Sequence, residues 1–233
     1  MSANANAMDR MLSKMSKMYP MMIVMGLMIV AISFIIGFVN SQLAADYFSI
    51  DKTTRDTLAS SNLRDDRGSI ESVGLWLPYF KFLGLGLLLG GIVMALRVII
   101  DNLRDVGEEV LSNLDEAKRP KLPTPPWYAL LMPMLMMVGE IIFIVALIIA
   151  LGLASNARTL FGDNQIIDID TNAGLTSDLS DIKTVSAWLV PLKFLAIATE
   201  FLAIAIGLAT IIYILSAQTK TLDKAFKVAE GGN

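Results

Sequence analysis

Four long apolar runs dominate the chain, at roughly Tyr19–Val39, Leu75–Ile100, Trp127–Leu153 and Ala187–Leu215. Each reaches the roughly 20 residues an α-helix needs to cross a hydrocarbon core about 30 Å thick. The pattern predicts an all-α membrane protein with four transmembrane helices. Polar stretches of similar length follow spans 1 and 3 and are rich in Asp, Ser, Thr and Asn. In the second, Gln165-Ile-Ile-Asp-Ile-Asp170 alternates polar and apolar residues. That period of two predicts a short strand or an extended edge.

The pattern does not end where the membrane should. Ile99, Leu103, Val106, Val110 and Leu114 keep helical spacing among charged residues. Span 2 is therefore predicted to continue as a helix to about Glu116. Span 4 repeats the pattern through Leu222, Ala225 and Phe226. Each extension offers an apolar stripe to another helix or to the membrane surface. Met8, Met11, Met15, Met18 and Met22, flanked by Arg10, Lys14 and Lys17, suit an interfacial helix ahead of span 1. Lys118-Arg-Pro-Lys-Leu-Pro-Thr-Pro-Pro126 breaks any helix and predicts a stiff linker. The predicted divisions are an amphipathic segment 1–18, a first unit 19–117, the linker 118–126, a second unit 127–230 and a loose tail 231–233.

The two large units resemble each other. Trp76-Leu-Pro-Tyr-Phe-Lys81-Phe-Leu83 and Trp188-Leu-Val-Pro-Leu-Lys193-Phe-Leu195 open spans 2 and 4, 112 residues apart. Pro20-Met21 with Gly26 answers Pro133-Met134 with Gly139 at a shift of 113. The chain thus reads as two tandem two-helix repeats, related by a pseudo-two-fold along the membrane normal. Span 1 could pass for a signal peptide, but its counterpart, span 3, is internal, so span 1 is expected to be retained. Pro20, Pro78, Pro133 and Pro191 each fall near the predicted start of a span, where a missing N–H costs no hydrogen bond.

Composition narrows the chemistry. Apolar residues are 55% and charged residues 18% of the 233, with a formal net charge of −3. Nothing here gives the basic footprint of a nucleic-acid binder. There is no Cys and no His. Disulfides, thiolate or imidazole metal sites and His-based catalytic pairs are excluded. Eleven Lys and Arg lie on the side of the termini and central linker and six on the other, leaving aside Lys81 and Lys193. The positive-inside rule puts both termini in the cytoplasm, in a multi-pass protein expected in a prokaryotic cytoplasmic membrane. The outer loops are acidic. They read as solvated surface, with calcium binding the sharper alternative.

Small residues four apart mark helix-packing faces: Gly86 and Gly90 with Gly91 in span 2, and Ala203 with Gly207 in span 4. Trp76, Trp127 and Trp188 read as interface anchors. Lys81 and Lys193 lie where a lysine stem can snorkel to headgroups or bind anionic lipid. Met18, Met21, Met22 and Met25 read as adaptable packing, or as soft thioether ligands for copper(I). No other cofactor is implied.

Glu140 and Glu200 stand out. Glu140 lies 13 residues from Trp127 and Glu200 lies 12 from Trp188, so both fall near mid-membrane. Their counterparts in the first repeat are Leu27 and Leu88. An ionised acid there costs about 2–3 kcal/mol or more unless paired, hydrated or protonated. Facing each other they could share a proton; facing outward they would need a partner on another subunit. The leading functional reading is a non-catalytic integral membrane subunit that packs within and stabilises a larger complex, of which a respiratory or monooxygenase-type assembly is an example. Its partners would be other integral membrane subunits and lipids, and a homo-oligomer is compatible. The alternative is a small proton or cation transporter working through Glu140 and Glu200.

Overall fold

The computed structural model describes residues 17–57, 61–112, 120, 122 and 124–230, with side chains of 56–57, 61 and 224–230 excepted. Leu114, Ala225 and Phe226, and Met8, Met11 and Met15, lie outside what is described of side chains. So do Lys118, Arg119, Lys121 and Pro123 of the Pro-rich linker. The elements are α1 (Tyr19–Ser49), α2 (Lys52–Thr57), α3 (Ser61–Ser112), a 3-10 turn (Trp127–Leu130), α4 (Leu131–Asp163), α5 (Ile166–Thr171) and α6 (Ala173–Glu230). No strand occurs among the described residues. Helices α1, α3, α4 and α6 are each long and apolar enough to cross a membrane, and they make this a membrane protein by length and composition.

The helices overrun the apolar runs. α1 continues to Ser49, α3 starts at Ser61 and α6 at Ala173. The loops expected after spans 1 and 3 are therefore mostly helical. Falling hydropathy marks where a lipid-facing helix should end, not where helical propensity ends: Gln42-Leu-Ala-Ala45 holds good helix formers. The expected strand at Gln165–Asp170 is a correction. Residues Ile166–Thr171 form a helical turn and a half, between extended residues Gln165 and Asn172. Ile169 is buried against neighbouring helices.

The prolines divide. Pro20 is the second residue of α1, where its missing N–H costs no helical hydrogen bond, and Pro133 is the third residue of α4, directly after the 3-10 turn. Pro78 lies inside α3 and Pro191 inside α6, because those helices begin well before the apolar runs. Each removes one i→i−4 hydrogen bond, to the carbonyls of Gly74 and Ala187.

Contacts group the chain into two compact units, each drawing on parts of the long helices. One comprises Met1–Ile23, Leu88–Val138 and Ala198–Asn233. Its core joins Val93, Met94 and Leu96 of α3, Met132 and Met136 of α4, and Ala203 of α6. Gly207 fits here because a Cβ would come within 2.8 Å of both Leu96 Cδ1 and Met132 Sδ. Further along, Gln218 Nε2 donates to the Leu103 carbonyl at 2.8 Å. Gly107 makes room for it, since a Cβ there would stand 2.8 Å from the same nitrogen. Of the apolar stripe read on this part of α3, Leu103 is half-buried but Ile99, Val106 and Val110 are exposed. The buried face is Ile100, Gly107 and Leu111, one position away.

The other unit comprises Val24–Leu87 and Gly139–Ile197. Its core is a seam on α4: Ala146, Ala150, Leu153, Ala157 and Leu160, all buried at alternating four- and three-residue steps. Tyr79 of α3, Ile169 of α5 and Ile182 and Leu189 of α6 pack on it. Small residues let helices approach closely where lipid supplies no hydrophobic drive. Gly84 adds a second close approach, where a Cβ would lie 2.8 Å from Ile29 Cγ2 of α1.

Candidate functional site

Glu140 and Phe143 are three residues apart on α4, hence on one helix face. That face meets Gly86 of α3. A Cβ at Gly86 would come within 2.6 Å of the Phe143 ring and 3.4 Å of Glu140 Oε2. The missing side chain is what makes the niche. Phe143 is 1% exposed and fills it beside the carboxylate. Both carboxylate oxygens of Glu140 are buried, and neither has a hydrogen-bond partner among the described residues. An ionised carboxylate in such a setting is costly.

Glu200 belongs to the other unit and is 0% exposed. Thr210, also fully buried, sits further along α6 and donates to the Ile206 carbonyl at 2.8 Å. Neither acid is thus left bare to lipid, so neither needs another subunit merely for cover. That removes one argument that the sequence offered for a partner.

The remaining residues fall as follows. Gly90 is buried, and Gly91 lies against α1, a Cβ there standing 2.7 Å from Ile23 Cγ1. Ala203 is fully buried. These small residues face other helices of the same chain. Met18, Met21 and Met25 are exposed, whereas Met22 packs against the core of its unit. Among the described residues no group of three or more Asp or Glu is placed to hold a metal ion.

The two Trp-Lys pairs have different surroundings. Trp188 is 76% and Trp127 78% exposed. Trp76 is half-buried, meets Phe80 edge to face at 5.6 Å and packs on the α4 seam. Lys81 is exposed, 5.6 Å from the Phe34 ring of α1. Lys193 is half-buried among three rings, Phe82 at 5.2 Å, Phe194 at 5.5 Å and Tyr79 at 5.8 Å. Aromatic faces attract an ammonium that is partly desolvated. Lys193 thus has aromatic neighbours from α3 and from its own helix.

Two further groups were not singled out from sequence. Arg97 is 6% exposed and pairs with Asp101 one turn on, Nε to Oδ1 at 3.2 Å. The i,i+4 spacing was readable; the burial was not. Arg67 pairs with Glu71 and also lies over the rings of Tyr47, Phe48 and Phe161 at 5.3–5.8 Å. Arg55 shares Tyr47 and Phe48 with it.

No family model, curated protein or solved structure matches the chain, so no relative lends it a function.

Proposed function

We propose that the chain is a non-catalytic integral membrane subunit, packed within a larger membrane complex and oriented with both termini in the cytoplasm. The observation that carries this reading is the poor cover of span 1. Its apolar window is 11% buried by the rest of the chain, against 50% for span 2. On its open side Met21, Val24, Met28, Ile35 and Phe38 are all more than half exposed. They follow one another at three-, four-, seven- and three-residue steps, with exposed Ala31 completing the series. That spacing suits a left-handed pairing with another helix. The termini follow from the excess of Lys and Arg on their side. Chemistry would then reside in other chains, in keeping with the lack of Cys and His. Gentle detergent extraction followed by native mass determination tests the proposal. The expected result is a stable assembly with other membrane chains; a lone, stable monomer would overturn it.

A second reading is favoured by Glu140. A buried carboxylate with neither oxygen hydrogen-bonded among the described residues is one that a proton or cation carrier could load, and Glu200 offers a second buried acid. On this reading the protein in liposomes carries a proton or cation flux. Glu140→Gln and Glu200→Gln abolish it without altering the thermal midpoint. Absence of flux in the wild type, or unchanged flux in both variants, rules the transporter out.

A further inference from the structure

A cleft of about 280 Å³ opens in the unit formed by 24–87 and 139–197. Its floor is apolar, with Leu75, Phe161, Ile169 and Ile182 among the lining residues. Its polar lining is balanced: Arg67 and Lys183 against Glu71 and Asp170, with Ser186 beside them. These four charges are not equivalent. Arg67 is already committed to Glu71 and to the Phe161 ring at 5.3 Å. Lys183 and Asp170 line the same cleft, yet neither forms an ion pair or side-chain hydrogen bond among the described residues. Both are exposed at its mouth.

A cleft with an apolar floor and a few convergent polar groups is the usual form of a small-ligand site. One unpaired cation and one unpaired anion at the mouth select for a ligand that carries both signs. A simple anion would meet Asp170, and a simple cation would meet Lys183. Depth points the same way. Leu75 adjoins Trp76, while Lys183 lies five residues outward of Trp188, about 7.5 Å along α6. With Trp76 and Trp188 at the interface, as the sequence predicts, the apolar lining reaches the edge of the hydrocarbon layer and Lys183 lies at headgroup level.

We infer that this cleft binds a zwitterion bearing a primary ammonium and an anionic group on an apolar stem. The ammonium meets Asp170, the anionic group meets Lys183 and Ser186, and the stem lies on the Phe161–Ile169 floor. Two sources share that chemistry: the headgroup of an ethanolamine phospholipid, and a free apolar amino acid.

Native mass spectrometry of the full-length protein in detergent separates the outcomes. The probes are phosphatidylethanolamine, phosphatidylglycerol and leucine, each added alone and in competition. Phosphatidylethanolamine should be retained in preference to phosphatidylglycerol, whose headgroup lacks the ammonium. Lys183→Gln and Asp170→Asn should each weaken that retention roughly tenfold, the cost of one charge-assisted contact. Both side chains are exposed, so the variants should fold, and an unchanged thermal midpoint would document it. Retention of the phospholipid alone assigns the site to lipid; displacement of it by leucine, with the same dependence on Lys183 and Asp170, assigns it to a soluble zwitterion. Equal binding of the two phospholipids, or binding indifferent to both substitutions, overturns the inference.

Discussion

Gly86 and Phe143 are a matched pair, and their match is what brings the Glu140 carboxylate against α3. With 2.6 Å between a would-be Cβ and a ring that is 1% exposed, the ring has nowhere to move. Gly86→Ala should lower stability by about 1–3 kcal/mol, the usual cost of overpacking. Thermal unfolding in detergent would measure it, and pairing Gly86→Ala with Phe143→Leu should recover most of the loss. A loss in the double variant equal to the sum of the singles would show that the two positions do not share the niche. Gln218 offers a smaller effect. Gln218→Leu removes the bond to the Leu103 carbonyl and should cost about 0.5–1.5 kcal/mol. Of these residues, Glu140 was legible in the sequence because a charge inside an apolar run is conspicuous. Its niche was not, because Gly86 is 54 residues earlier and only the folded chain brings them together.

At the level of elements, the seam explains where the alanines of α4 fall. Ala146, Ala150 and Ala157 are each 0% exposed, and each marks a place where another helix comes close. Ala150→Leu should cost about 1–3 kcal/mol or more. Ile148→Leu on the open side of the same helix should change stability by less than about 0.5 kcal/mol. Comparable losses in the two variants would deny the seam its role. The existence of four long apolar helices was legible, since runs of that length and hydropathy have few other uses. Their ends were not. Hydropathy reports what the surroundings are, whereas helix ends depend on local backbone preference, and residues such as Leu43, Ala44 and Ala45 keep the helix going in water as well as in lipid. The same separation misled the reading of Pro78 and Pro191, which were placed relative to the membrane and not relative to the helix. On the α3 extension the helical period was right and the buried face was one position off. Sequence spacing cannot decide between two adjacent stripes when Gly107 replaces a side chain on one of them.

For the whole molecule, orientation is the property most open to test. The chain has no cysteine, so any single introduced thiol is labelled without background. Ser49→Cys, exposed after span 1, should react with a membrane-impermeant maleimide added to intact cells. Ser112→Cys, exposed at the end of α3, should react only after permeabilisation. The reverse pattern would invert the topology proposed from the Lys and Arg count. Orientation in turn determines which side of the membrane presents the zwitterion cleft. Pro78 and Pro191 bear on how deep the helices sit once oriented. Each deprives one carbonyl, that of Gly74 or Ala187, of its helical donor, and both carbonyls lie within two residues of a tryptophan, Trp76 or Trp188. At the interface, water or a headgroup can supply the missing donor. One turn deeper, in hydrocarbon, only protein groups or a trapped water can do so, and a carbonyl left unsatisfied there costs several kcal/mol, roughly. With Trp76 and Trp188 at the interface, as the sequence predicts, the two prolines would act as depth gauges, resisting displacement of α3 and α6 toward the membrane centre.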